Sequence, residues 1–275
     1  MKKRILLALD LEGVNYVVGE PYKGLFAGSE QWDVARRQAV KEINAAADAL
    51  FRAGAEVVAL WDNHSGGGNV IAEDLDGRIT LLNPDLSKPR MYFADGKYDV
   101  ICFFGYHAME GTYGGVLAHT MNSTTVQYYK INGKYVGEVD IDGYIAASHD
   151  IPTCFFCGGD IACAQAKRAL PDIVTVTTKT EQGRNKAVFR ENEQLLSEIA
   201  EKIVLAVTKD VKPSKLEFPC VMEKSLKRVE DAERYLQRYR SYGLDADHLE
   251  DEVLGKDGHT IVVRLQTAEE FAKSV

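Results

Sequence analysis

Ile5–Leu9 is an unbroken apolar run closed by Asp10, the pattern of a strand buried on both faces. Downstream, Trp32, Ala35, Ala39, Ile43, Ala46 and Leu50 recur at steps of three and four, which puts them on one face of a helix. Ser29 is placed to cap that helix and Gly54 to stop it. Glu56–Trp61, Asp99–Phe104, Thr153–Cys157 and Ile173–Thr177 are further apolar runs that predict strands, while Ile161–Ala169 and Glu193–Val207 carry helical spacing. Strands alternating with helices predict an α/β fold, a mostly parallel sheet flanked by helices. Val126–Ile131, Asn132-Gly133 and Lys134–Val136 spell a hairpin with a two-residue turn. The character changes at Lys212-Pro213, after which a strand at Lys215–Met222, a charged helix near Leu226–Tyr239, a strand at His259–Leu265 and a short final helix are expected. The expected division is an α/β domain over residues 1–211 and a smaller α+β subdomain of β-α-β-α order over residues 212–275.

Composition narrows the partners. The 275 residues are 45% hydrophobic and 27% charged, with 33 basic against 41 acidic side chains and a formal net charge of −8. Such a chain is of ordinary globular type, and its acidity argues against nucleic acid or an anionic membrane as partner. No apolar run approaches the ~18–20 residues of a membrane span. Met1-Lys2-Lys3-Arg4 resembles the start of a signal peptide, but Asp10 ends the apolar run after Leu9, short of the ~7–15 residues a signal needs. A cytoplasmic protein is expected. Cys102, Cys154, Cys157, Cys163 and Cys220 form an odd set with no finger or disulfide-scaffold spacing, and buried, inert thiols are expected.

The chemistry lies just after the strands. The first ends in Asp10-Leu11-Glu12-Gly13, the second in Asp62-Asn63-His64-Ser65 with Gly66-Gly67-Gly68 behind it, and the third in Gly105-Tyr106-His107. In an open parallel sheet, ligands bind beyond the carboxyl ends of the strands, so carboxylates and imidazoles converge on one edge. Asp10 and Glu12, two apart, face the same way. That donor set suits a divalent metal such as zinc. His119 lies in a polar, Gly-bearing loop, and Glu138 follows the hairpin, placed to close the site. Asp10, Glu12, His64, His107 and Glu138 are too many for one tetrahedral zinc, and a bridging carboxylate then implies two metals ~3.5–4 Å apart. Two divalent ions outweigh three carboxylates, leaving positive charge to hold a hydroxide nucleophile.

Each piece has a plainer reading. An isolated Asp-x-Glu is usually a solvated strand end, and a single histidine after a strand is usually structural. The coincidence of all of them at one sheet edge outweighs that. His149, His248 and His259 lack such company and read as structural. The charged helix Glu223–Arg240 reads as a solvated face, and Tyr128, Tyr129 and Tyr135 as hairpin packing. A P-loop, a Gly-x-Ser-x-Gly elbow and a His-Glu-x-x-His helix are all absent.

Ala8-Leu9-Asp10-Leu11-Glu12-Gly13, Asp62-Asn63-His64-Ser65, Gly105-Tyr106-His107-Ala108, Ala118-His119-Thr120-Met121 and Ile131-Asn132-Gly133 with Val136-Gly137-Glu138 occur in that order. In this the chain resembles the M55 family of D-aminopeptidases, from residue 5 to about residue 210. The resemblance implies an α/β sheet with a small second domain, two zinc ions per subunit and ring-shaped homo-oligomers, such as a decamer. It implies that Asp10 bridges the metals, that Glu12 and His107 complete one site and His64 and Glu138 the other, and that His119 is catalytic. Gly183-Arg184 resembles a Gly-Arg pair of the family, whereas Met109-Glu110-Gly111-Thr112 departs from its usual loop. The expected activity is a zinc-dependent aminopeptidase or amidohydrolase acting on short peptides or amino-acid amides through a metal-bound hydroxide. Two alternatives stand beside it. One is a Mg²⁺-dependent phosphohydrolase with Asp10 as nucleophile and Gly159-Asp160 as metal motif; the other is a metal-binding protein without turnover.

Overall fold

Residues 3–21 and 23–275 are described in the computed structural model, so the first two residues of the basic start lie outside the described residues. The chain begins with β1 (Arg4–Leu9), α1 (Glu30–Arg52), β2 (Val57–Asp62), β3 (Thr80–Leu82) and β4 (Val100–Tyr106). A hairpin of β5 (Val126–Ile131) and β6 (Lys134–Val136) leads into α2 (Glu138–Ser148), followed by β7 (Thr153–Gly158), α3 (Asp160–Ala169) and β8 (Val174–Thr177). Then come a second hairpin, β9 (Lys179–Gly183) and β10 (Lys186–Phe189), and α4 (Asn192–Thr208). The chain closes with β11 (Cys220–Leu226), α5 (Val229–Ser241), β12 (Asp245–Asp251), β13 (Gly255–Leu265) and α6 (Ala268–Ser274).

Six strands form one sheet in the order β3-β2-β1-β4-β7-β8, all pairs parallel. From β1 the chain winds outward through β2 to β3, then returns to the other side of β1 for β4, β7 and β8. The switch point therefore lies between β1 and β4, where a doubly wound sheet opens a crevice at its carboxyl edge. β1 shows why its run is wholly apolar. Leu6 and Ala8 enter one core with α2 and α3, while Ile5, Leu7 and Leu9 enter the other with α1 and α4. Burying each leucine or isoleucine on such a strand contributes ~1.5–3 kcal/mol, which gives the strand ends a firm base. The helix read from Trp32 to Leu50 is α1; Ser29 Oγ accepts from the Trp32 amide at 3.1 Å.

A second, antiparallel sheet has the order β12-β13-β11-β5-β6, so the hairpin before α2 pairs with strands from the tail. Tyr128 and Tyr135 pack edge to face across that hairpin. The tail differs from its expected β-α-β-α order. The strand expected at Lys215–Met222 starts only at Cys220 and runs to Leu226, and β12 is an added strand. β12 reads Asp245-Ala-Asp-His-Leu-Glu-Asp, an edge strand whose charges hide the alternation. α2 was not expected either: its apolar residues are buried on several sides with Asp142 and Gly143 among them, so no single stripe marks it. The polar β9–β10 hairpin escapes notice for the same reason.

Candidate metal centre

The carboxyl end of β1 runs straight into the first candidate ligands. Asp10 N donates to the Phe104 carbonyl at 2.8 Å and Gly13 N to the Gly105 carbonyl at 2.6 Å, so the β1–β4 pairing carries Asp10 and Glu12 with it. That approach needs glycine on the β4 side. Gly105 has φ +68°, and a Cβ there would collide with the Asp10 carbonyl oxygen. From behind, the buried ammonium of Lys179 donates to the carbonyls of Glu12, Val14 and Val17 at 2.6, 2.9 and 2.6 Å. Burial pulls its pKa down to about 8.

β2 delivers His64 at the start of one tight turn, His64–Gly66. Asn69 Nδ2 donates to the His64 carbonyl at 2.7 Å and to Asp62 at 3.0 Å, so Asp62 braces this loop. β4 delivers His107, whose Nδ1 faces the Ala108 carbonyl at 3.0 Å. His119 comes from the loop after it, with Nδ1 2.8 Å from the Leu117 carbonyl. Glu138 is the first residue of α2, and its Oε1 accepts from Met121 N at 2.7 Å.

These six side chains meet. His64 Nδ1 lies 2.9 Å from Asp10 Oδ1 and 3.1 Å from Glu12 Oε2. His107 Nε2 lies 3.4 Å from both Asp10 Oδ2 and Glu138 Oε1. His119 Nε2 is 3.6 Å from Glu138 Oε1, and its ring stacks on that of His107 at 3.9 Å. Asp10, Glu12, His64, His107 and Glu138 are buried and His119 half-buried. Burial disfavours charge on Asp10 and Glu138. Against it, the neighbouring imidazoles of His107 and His64 hold Asp10 well below the usual carboxylate range. Glu138 is likewise lowered, chiefly by His107. Burial also disfavours a charged His64, but Glu12 and Asp10 outweigh it and push its pKa up to about 11; His107 is raised by Asp10 and Glu138.

The donor set fits metal. With Nδ1 turned to a carbonyl and carrying the proton, a neutral His107 would present Nε2 as a lone pair, and that buried atom has no hydrogen-bond partner among the described residues. Donors on tetrahedral zinc, with bonds of ~2.0–2.2 Å, stand ~3.3–3.6 Å apart; the contacts of His107 Nε2 match, at 3.4 Å. Two groups of donors each gather within 4.8 Å: Asp10, Glu12 and His107, and His107, His119 and Glu138. In front of them opens a cavity of about 400 Å³, with Leu25, Phe26, Leu117 and Met121 as apolar wall and Lys23 and Arg184 as cations. Arg184 Nη1 donates to the Ala118 carbonyl at 3.1 Å.

The remaining histidines sit elsewhere. His149 faces Asp95, His248 bonds Glu233 and the Asp257 carbonyl, and His259 the Leu226 carbonyl. All five cysteines are free and buried. Asp160 Oδ1 accepts from Glu181 N at 2.8 Å and joins neither donor group among the described residues. Sequence reasoning passed over Lys179, Arg90 and Asp142: Lys179 and Asp142 brace the site from beneath, and Arg90 pairs with Asp142 while lining the cavity. The available signal was weak: Asp142 stands four residues after Glu138, one helical turn on the same face.

The sequence model of the M55 peptidases, described as D-aminopeptidase, matches residues 3–245. A D-aminopeptidase of Bacillus subtilis (strain 168) is 27% identical over 177 residues, which is 64% of this chain and 63% of that protein. The matched part thus spans less than two thirds of the relative's length. In fold, the chain is similar to the Zn-dependent D-aminopeptidase DppA from Bacillus subtilis, described as a self-compartmentalizing protease. The TM-score is 0.84 at 22% identity, covering 98% of this chain and 94% of that one.

Proposed function

The chain belongs to the M55 peptidase family, and from that premise we propose that it is a zinc-dependent aminopeptidase or amidohydrolase. Its substrates are short peptides or amino-acid amides, from which it releases the N-terminal residue, with D-amino acids preferred. The observation that carries this reading is the buried, unpartnered Nε2 of His107 between Asp10 and Glu138. In this reading Asp10, Glu12 and His107 would hold one zinc ion, and Asp10, His64 and Glu138 would hold a second. Bound zinc supplies Lewis acidity toward the scissile carbonyl and acidifies a neighbouring water.

The protein's own groups do the rest. Leu25, Phe26, Leu117 and Met121 line the cavity and exclude bulk water from one wall. His119 stays off the metals. Its Nδ1 is tied to the Leu117 carbonyl, which leaves Nε2 facing the cluster. There it takes the proton of the attacking water and returns it to the leaving amine, or donates to the developing oxyanion. Water adds to the carbonyl carbon, the C–N bond breaks, and acid and amine depart.

A panel of D- and L-aminoacyl amides and dipeptides tests this, with the purified protein supplied with zinc. Release of the N-terminal residue, stopped by chelator and restored by zinc, manganese or cobalt, is the expected result. Robust phosphatase activity without amide hydrolysis would select the phosphohydrolase reading instead.

We also propose that the chain assembles into a closed homo-oligomer, a ring such as a decamer, in the cytoplasm. Among the described residues no helix is long and apolar enough to cross a membrane. Sizing is expected to show a mass many times 30.5 kDa; a monomer at micromolar concentration would remove the proposal.

A further inference from the structure

Two of the five proposed ligands adjoin residues that converge on one carboxylate, and a third lies one helical turn from it. Asp142 lies on α2 one turn after Glu138, and its side chain is fully buried. Its Oδ1 accepts from Arg90 Nε, and its Oδ2 accepts from Arg90 Nη2 at 2.9 Å and from the Tyr106 hydroxyl at 2.7 Å. Arg90 Nη2 also donates to Asn63 Oδ1 at 2.7 Å, and Asn63 Nδ2 donates to the Tyr106 hydroxyl at 2.9 Å. Arg90 lies over the Trp61 ring at 4.9 Å. None of these four polar side chains is left with an unpartnered buried atom. Asn63 immediately precedes His64 on leaving β2, and Tyr106 immediately precedes His107 at the end of β4.

We propose that Asp142 is the positioning residue of the metal centre. Through Arg90, Asn63 and Tyr106 it locks the first turn of α2 to the ends of β2 and β4, and so sets Glu138, His64 and His107 together. Stability alone is a poor account of the network, because a buried ion pair is often replaced by apolar side chains at no cost. Apolar packing does not fix the angle between two strand ends and a helix; a planar guanidinium gripping one carboxylate through two nitrogens does.

The network also acts unevenly, on the two-ion reading proposed above. Both ligands that complete the second site, His64 and Glu138, hang from it. Of the first site only His107 does, because Glu12 is held through its carbonyl by Lys179. The second ion is therefore the one that loosens when Asp142 is changed.

The test is zinc titration of the full-length protein against a competing chelator, beside thermal melting of the metal-free form. Asp142→Asn keeps the shape and removes the charge. Tyr106→Phe removes one hydroxyl and leaves the Arg90–Asp142 pair, and it decides the matter alone if Asp142→Asn does not fold. Changing a residue that orients a ligand typically weakens metal binding by ~10–100-fold. That loss is expected at one of the two ions in Asp142→Asn, with a smaller loss at the same ion in Tyr106→Phe. A variant that only melts lower and still binds both ions as the wild type does overturns the positioning role, and equal weakening of both ions overturns its unevenness. A wild-type protein that takes up fewer than two zinc ions rejects instead the two-ion reading beneath it.

Discussion

Replacing His119 with alanine is expected to leave the fold and both metals in place and to cost about 10²–10⁴ in turnover, the usual loss for a positioned proton carrier or oxyanion donor. The geometry separates this imidazole from the other two. His64 Nδ1 and His107 Nε2 each lie within 3.4 Å of Asp10, whereas His119 Nε2 faces Glu138, at 3.6 Å. It is also the least buried of the three, on a loop rather than a strand end. The check is a paired measurement of zinc content and kcat on the purified variant. Turnover close to wild type would end the catalytic assignment. Loss of a zinc ion would make His119 a ligand, a role its place in the second donor group physically permits.

Asp10, Glu12, His64 and His107 were legible because strands announce themselves. Each ends an apolar run or follows one closely, and in a parallel sheet the end of a run is a position in space as well as in sequence. Glu138 was harder. It opens a helix that no amphipathic stripe reveals, and only its place after the hairpin and the family resemblance drew notice. The supports of the site left almost no trace. Lys179 reads as a surface lysine until three carbonyls are found around it. Arg90 lies in a stretch between β3 and β4 with little regular structure, and nothing along the chain links it to Asp142. Such contacts depend on how elements pack, and packing is written in shape complementarity rather than in a period. The same holds for the tail, where β12 shows charge instead of alternation.

The largest loss is expected from Asp10. Its two carboxylate oxygens face different partners, Oδ1 toward His64 at 2.9 Å and Oδ2 toward His107 at 3.4 Å. If, as proposed, it is shared by two ions, it couples them, so Asp10→Ala should abolish binding of both and with it all turnover. His64→Ala and His107→Ala should each lose one ion first. The pH dependence of zinc uptake follows from the same contacts. Without metal, the carboxylates keep the imidazoles protonated: His64 is pushed up to about 11 despite its burial, and His107 is raised as well. Zinc binds only the neutral ring, so each imidazole that becomes a ligand must release a proton. Affinity then rises with pH, by roughly tenfold per unit for each proton displaced. Raising the pH from 6 to 8 should tighten binding of each ion by about 100-fold if one imidazole serves it. Chelator competition at the two pH values measures this. Equal affinities would mean that the imidazoles are not the ligands, and an Asp10→Ala protein that still held two zinc ions would remove the shared carboxylate from the centre.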